Sequence, residues 1–127
     1  MKRESNEIKK ENDRAASFMR FCEVVRHLRA EDGCPWDRAQ THTSPYCIEE
    51  AAEVIGGINI WEVTGDAENL KEELGDLMLQ ILLHAQIAEE EGLFTIREVM
   101  DGASEKMIRR HPHVFGKPML SEQGEPI

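Results

Sequence analysis

Two short clusters of carboxylates, each set among apolar residues with helical spacing, constrain this chain more than any other feature of its sequence. The first holds Glu49, Glu50 and Glu53, and the second holds Glu73 and Asp76. At 3.6 residues per turn the first three lie within an arc of about 100°, and the other two lie about 60° apart. Like charges gathered on apolar helices repel one another and lose hydration, so the pattern favours a cation bound between two helices.

The apolar residues recur at three- and four-residue steps along most of the chain, which predicts an all-α fold. We expect four helices, over about 15–30, 45–60, 67–91 and from Thr95 to His111. Thr95 and Glu98 match a capping box at the start of the fourth helix. The glycine pair Gly56-Gly57 weakens the second helix, because each glycine costs about 1 kcal/mol relative to alanine, and it leaves open a bend or an early end. No strand alternation of useful length is present, so we predict a four-helix bundle.

The polar, charged residues 1–14 are expected to form a mobile arm, followed by a single helical domain over 15–116 and a loose tail over 117–127. Between the first two helices, residues 32–37 are predicted to form a loop, in which Pro35 disfavours helix at Cys34. The Trp36 side chain in this loop could cover the core or form a wall of a ligand pocket. Arg26 and Arg29 are interpreted as part of a solvated helix face.

The third helix carries apolar residues in nearly every direction, which is typical of a helix that is buried on all sides. A single small bundle seldom encloses a helix so fully. We therefore expect a second subunit, in a homodimer of this chain or, as the alternative, a tetramer.

The formal net charge of −10 and the pI near 4.9 argue against general binding to nucleic acid or to an anionic membrane. No apolar run reaches membrane-spanning length. The three cysteines are an odd number without a Cys-x-x-Cys pair, which favours reduced thiols over a zinc site. The sequence thus predicts a cytoplasmic protein.

Oxygen ligands alone suit a hard cation, so the acidic clusters favour Mg²⁺, with Mn²⁺ as a substitute. A di-iron site is the main competitor, but such bundles use Glu-x-x-His on two helices and neither cluster has that histidine. A solvated acidic face is the alternative without metal. A second cluster, of Lys106, Arg109 and Arg110, lies within about 100° on the fourth helix. It could balance the helix dipole, or it could bind phosphate beside a metal.

Several motifs in order resemble the MazG nucleoside triphosphate pyrophosphohydrolases over roughly Phe18 to Gly116. They are Cys34-Pro35-Trp36-Asp37 with Gln40-Thr41-His42, Glu49-Glu50-x-x-Glu53, Glu73-x-x-Asp76, and Arg109-Arg110-His111-Pro112-His113-Val114-Phe115-Gly116. The resemblance implies an all-α NTP pyrophosphatase fold, a dimer of helical bundles, Mg²⁺ dependence, and cleavage of nucleoside triphosphates to monophosphate and pyrophosphate.

The resemblance also implies roles for particular residues. Glu50, Glu53, Glu73 and Asp76 would hold magnesium, and Glu49 would ligate it or orient the attacking water, which makes Glu49 and Glu50 the candidate catalytic residues. Lys106 and Arg110, with Arg109 beside them, match basic positions that contact phosphate. Trp36 would lie near the base or brace its loop.

The spacing departs from the family pattern in two places, being shorter between His42 and Glu49 and longer by about one helical turn between Glu53 and Glu73. An added helical turn preserves the facing of the two clusters, whereas a looped insertion does not. The main functional alternative is a catalytically weak helical bundle that binds nucleotides or a partner protein in a regulatory role.

Overall fold

A computed structural model describes residues 2–41 and 46–116 of the chain. Within them every regular element is a helix: α1 (Lys2–Leu28), α2 (Pro35–Arg38), α3 (Tyr46–Thr64), α4 (Glu68–Glu90), α5 (Ile96–Arg110) and α6 (Pro112–Phe115). The all-α prediction is therefore confirmed, while the four-helix bundle stays a prediction. The predicted tail over 117–127 and His42 of the Gln-Thr-His motif lie outside the described residues. None of the described helices combines the length and apolar character that crossing a membrane requires.

The first helix begins at Lys2, so its predicted start near residue 15 was wrong. Residues 2–14 are rich in lysine, glutamate and arginine, which lose little rotamer freedom in a helix. Side chains 8–17 are all exposed, so local propensity rather than packing accounts for this extension. The mobility of the arm stays a prediction.

Helix α3 continues without a break through the glycine pair and ends at Thr64. A Cβ atom built on Gly57 would lie 2.9 Å from the Cα of Leu70, so the backbones of α3 and α4 approach too closely there for a side chain. The turn between them uses Gly65 at φ 77°. The Asp66 carboxylate then accepts a hydrogen bond from the backbone N–H of Glu68 at 3.0 Å and caps α4.

Residue contacts divide the chain into two compact units, 1–87 and 88–127. The buried apolar side chains of the first unit come from the end of α1 and the second half of α4: Val25, Leu82, Leu83, Ala85 and Ile87. Burying a large aliphatic side chain contributes about 1.5–3 kcal/mol. The second half of α4 is therefore the main source of core stability in this unit.

The segment that contains α2 is fastened to the end of α1 by Arg29. The Arg29 guanidinium donates hydrogen bonds to the carbonyl oxygens of Asp37 at 2.6 Å and Gln40 at 3.1 Å. The prediction of a solvated face was wrong for Arg29, since its long side chain reaches the carbonyls of the next segment. It holds for Arg26, which is exposed and pairs with Glu23 at 2.7 Å. Cys34 is extended, at φ −92° and ψ 122°, as its position before proline predicts.

The second unit begins at Ala88, within the last turn of α4, which ends at Glu90. Gly92 adopts φ 73°, and the backbone N–H of Leu93 donates to the carbonyl of Ala88 at 2.9 Å, the pattern of a glycine C-cap. The predicted capping box is confirmed: the backbone N–H of Glu98 donates to Thr95 Oγ1, and the Glu98 carboxylate accepts from the backbone N–H of Thr95. Helix α5 ends at Arg110, and His111 is its C-cap before Pro112, as expected.

Candidate functional site

Helices α3 and α4 bring three carboxylates of the two acidic clusters together. One carboxylate oxygen each from Glu50, Glu73 and Asp76 lies within 4.8 Å of the other two. Glu50 and Glu73 are partly buried, and Asp76 is exposed. The expected meeting of the two clusters is thus present through these three side chains, which we call the carboxylate triad.

The contact at Gly57 explains how the two clusters find each other. Gly57 meets Leu70, and from that point Glu50 lies two helical turns back along α3 while Asp76 lies nearly two turns forward along α4. When two neighbouring helices run in opposite chain directions, residues at similar distances before the contact on one helix and after it on the other lie close together. The register of the triad therefore depends on Gly57, which the sequence marked only as a weak point of the helix.

The other two acidic candidates lie outside the triad. Glu53 is exposed, but its charge is close enough to Glu73 to affect the titration of that carboxyl. Glu49 is also exposed and belongs to no group of clustered ligand atoms in the part of the chain that the structure describes. The five predicted carboxylates thus separate into a core of three, one near neighbour and one residue open to water.

The Glu73 carboxyl lies close to several other negative charges. Partial burial raises the pKa of its carboxyl above the ordinary value of 4.5, because the charged form loses hydration. Neighbouring negative charges raise this pKa further, in the order Glu53, Asp76, Glu50 and Glu72. A positive charge at the triad would relieve this repulsion.

The donor set fits a hard divalent cation. Mg²⁺ and Ca²⁺ bind oxygen ligands at about 2.0–2.6 Å, so ligand atoms separated by 4.8 Å or less need only small side-chain rotations to reach one ion. No histidine or cysteine belongs to this group of ligand atoms, which disfavours zinc and the softer metals. Glu50, Glu73 and Asp76 are therefore the side chains that could hold a metal.

The basic candidates lie in the second unit. Lys106, Arg109 and Arg110 are exposed on the last turns of α5, where the helix dipole favours cations. Their side chains are accessible to an anionic ligand, and phosphate binding by them stays a prediction.

Trp36 is the second residue of α2 and is 79% exposed, so it covers no core in the described chain and that interpretation was wrong. The side-chain amide of Gln40 donates to the Trp36 carbonyl at 3.0 Å and fixes the backbone below the ring. A role of the ring in ligand binding stays a prediction. Sequence reasoning also missed Gln80, one turn after Asp76 on α4, which is buried. A lone glutamine belongs to no motif, and only its position on the face of Asp76 could have drawn attention to it.

Comparison with known proteins gives a family and several relatives. A family model for the MazG nucleotide pyrophosphohydrolase domain matches residues 38–115. The chain is 52% identical to the nucleoside triphosphate pyrophosphohydrolase/pyrophosphatase MazG of Thermotoga maritima over 78% of this chain and 38% of that protein. It is 39% identical to the nucleoside triphosphate pyrophosphohydrolase of Escherichia coli K12, over 84% of this chain and 40% of the relative. An uncharacterized Bacillus subtilis protein, YabN, is 47% identical over 93% of this chain and 24% of its own length. The chain thus spans less than half the length of these relatives.

Proposed function

The chain belongs to the family of MazG nucleotide pyrophosphohydrolase domains, and on that premise we propose that it hydrolyses nucleoside triphosphates to nucleoside monophosphates and pyrophosphate. The observation that carries this proposal is the carboxylate triad, in which α3 and α4 gather Glu50, Glu73 and Asp76. If these helices served packing alone, partly buried carboxylates that repel one another would only destabilise the fold. Removal of pyrophosphate from unwanted nucleotides in the cellular pool is the role that we propose for the reaction.

We propose that Glu50, Glu73 and Asp76 hold Mg²⁺ or Mn²⁺, with Glu53 adding negative charge beside them. The metal, when bound, neutralises phosphate charge and makes the attack of water easier. Glu49 faces solvent at the start of α3, and we assign it the role of general base. It accepts a proton as water attacks the α-phosphorus, and the bond from that phosphorus to the bridging oxygen breaks to release pyrophosphate.

Lys106, Arg109 and Arg110 are proposed to offset the charge of the substrate phosphates. The protein carries a net charge of −10, so a triphosphate needs local cations to approach it. Arginine is suited to this work because its planar guanidinium donates two parallel hydrogen bonds to phosphate oxygens. The exposed ring of Trp36 is proposed as a surface on which part of the nucleotide stacks.

A homodimer is the proposed assembly, with a tetramer as the larger alternative. Leu74, Met78 and Ile81 follow one another at i, i+4 and i+7 on α4 and are 50%, 39% and 44% exposed. Such a stripe on a helix surface is typical of a face that a partner covers. Light scattering of the parent chain and of Met78→Glu tests this proposal, which predicts a dimer and a monomer, respectively. A monomeric parent would contradict it.

The location that we propose is the cytoplasm, where nucleoside triphosphates are present. The three cysteines, all within the described residues, form no disulfide, which agrees with a reducing compartment. Fractionation of the cells that make the protein tests this location.

Pyrophosphate release from a panel of NTPs and dNTPs, with Mg²⁺ and then with a chelator, tests the activity. We expect turnover that requires the metal and is lost in Glu50→Gln and Asp76→Asn. Glu62→Gln is the matched control, because Glu62 is exposed on α3 and lies outside the acidic clusters. Nucleotide binding without turnover in the parent chain would overturn the proposal in favour of a regulatory binding module.

A further inference from the structure

A small cavity lies between the α2 segment and α4 in the first unit. It measures about 190 Å³ and is lined by Asp37, Gln40, Leu79, Gln80 and Leu83. We call it the amide pocket. Its walls combine two leucines with three side chains that bear polar groups, a composition that suits a flat apolar ring with a polar edge.

Gln80, one of the residues that line the amide pocket, carries an unpaired hydrogen-bond acceptor. Gln80 is only 9% exposed, and its Oε1 atom is buried and has no hydrogen-bond partner among the described residues. Buried polar atoms in native proteins are nearly always hydrogen-bonded, since an unpaired one is destabilising. An unpaired acceptor on a residue that lines a cavity therefore points to a donor that enters the cavity.

The opposite wall is held in place before any ligand arrives. Arg29 donates to the backbone carbonyls of both Asp37 and Gln40, the two residues that the α2 segment contributes to the pocket. The Gln40 side chain is itself tied to the carbonyl of Trp36. A pocket with fixed walls loses little conformational entropy when a ligand binds, so this arrangement favours recognition over packing alone.

The position of the pocket relates it to the triad. Gln80 follows Asp76 by four residues, which is about one turn and about 6 Å along the same face of α4. Pockets for complete small ligands measure about 300–1,000 Å³, so a cavity of about 190 Å³ takes one ring and not a whole nucleotide. A nucleotide with its phosphates at the triad thus has its base within reach of the pocket.

We propose that the amide pocket binds the nucleobase and that Gln80 Oε1 accepts a hydrogen bond from an exocyclic amino group of that base. This inference rests on the proposed function and assigns its substrate class. The Asp37 carboxylate on the facing wall is a second acceptor, and both acceptors repel a keto oxygen. The pocket therefore selects cytosine over uracil and adenine over hypoxanthine, because each favoured base has an amino group where the other has a keto oxygen.

Calorimetric titration of the full chain with α,β-methylene analogues of dCTP and dUTP, in the presence of Mg²⁺, tests this selection. We expect the dCTP analogue to bind at least about tenfold more tightly, since the keto base leaves the buried acceptor unpaired. The analogues of ATP and ITP should differ in the same direction. In Gln80→Leu the preference should nearly vanish, whereas Gln86→Leu, at a position on α4 that does not line the pocket, should keep it.

Equal affinities for the two analogues in the unmodified chain would overturn the inference and would mean that only water satisfies Gln80. A preference that survives in Gln80→Leu would overturn it as well. The comparison in the unmodified chain needs no variant, so misfolding of Gln80→Leu cannot conceal the answer. Pyrophosphate release without base preference would overturn this inference and leave the proposed function intact. Selective base binding without pyrophosphate release would support this inference and overturn the proposed function.

Discussion

The two halves of α4 belong to one continuous helix but differ in what surrounds them. The site half, residues 68–81, carries Glu73 and Asp76 and leaves Leu74, Met78 and Ile81 exposed. The core half, residues 82–87, holds most of the buried apolar side chains of the first unit. Apolar residues fill 6 of the 14 positions in the site half and 4 of the 6 in the core half, yet three of those in the site half are exposed, so apolar composition alone does not decide burial. The comparison indicates that the core half supplies stability, which lets the site half keep carboxylates that repel one another.

The largest effect that this comparison predicts is on activity, for Asp76→Asn in the site half. We expect kcat/KM for nucleoside triphosphates to fall at least about a thousandfold, about 4 kcal/mol in the barrier, because a metal ligand is lost. Without metal, the melting temperature should stay the same or rise, since one of several like charges disappears. Pyrophosphate-release kinetics and thermal unfolding in a chelator measure the two effects. A clear drop in the metal-free melting temperature of Asp76→Asn would contradict the view that the carboxylates of the site half repel one another.

The next effect is on stability, for Leu82→Ala in the core half. Leu82 is 3% exposed, and truncating a buried leucine to alanine costs about 2–5 kcal/mol of unfolding free energy. Ile81→Ala is the matched control on the adjacent, 44% exposed residue, and should cost less than about 1 kcal/mol at low protein concentration. Denaturant unfolding measures both. Equal losses at positions 81 and 82 would show that the two halves are buried alike.

Local patterns in the sequence were enough to place the helices that follow clear start and stop signals. The third predicted helix, 67–91, corresponds to α4 at Glu68–Glu90, because Gly65 and Gly92 both adopt positive φ at its ends. The capping box of Thr95 likewise located α5. The start of α1 was missed because the search for apolar spacing overlooks a polar segment that is helical by propensity alone.

The spacing of charged residues along single helices was enough to identify the candidate carboxylates of the site. Glu50, Glu73 and Asp76 were found by that means, although which of five carboxylates would meet depended on the contact of Gly57 with Leu70. Arg29 was missed because its partners are backbone carbonyls, which have no sequence signature. Contacts between segments distant along the chain decide these features, and local periodicity contains no information about them.

Magnesium should stabilise the protein through the site half alone, which gives the third prediction. A ligand at about a hundred times its Kd raises the unfolding free energy by about 2.7 kcal/mol. For a domain of this size we expect a rise in melting temperature on the order of 10 °C with Mg²⁺, and none with Mg²⁺ in Asp76→Asn. Leu82→Ala should show the same rise in melting temperature with Mg²⁺, although its melting temperature without metal is lower. A similar rise in melting temperature with Mg²⁺ in Asp76→Asn would show that the ion binds outside the carboxylate triad.

The smallest effect concerns Glu73 and the pH dependence of stability without metal. The folded state raises the pKa of Glu73 above 4.5, so between 4.5 and that raised value the folded chain binds more protons than the unfolded chain. The unfolding free energy must then fall as pH rises through this window. Glu73→Gln removes the titrating group, so its stability relative to the parent should improve from pH 4.5 toward neutrality.

Melting temperatures in a chelator across this pH range measure the sign of this difference. Glu62→Gln, which removes an exposed charge from α3, serves as the control and should track the parent at every pH. Saturating Mg²⁺ should reverse the order at neutral pH, because the ion turns the repulsion at Glu73 into attraction in the parent only. If Glu73→Gln and the parent respond alike to pH and to Mg²⁺, then the site half holds no stored repulsion. The two halves of α4 would then differ only in how far their apolar side chains are buried.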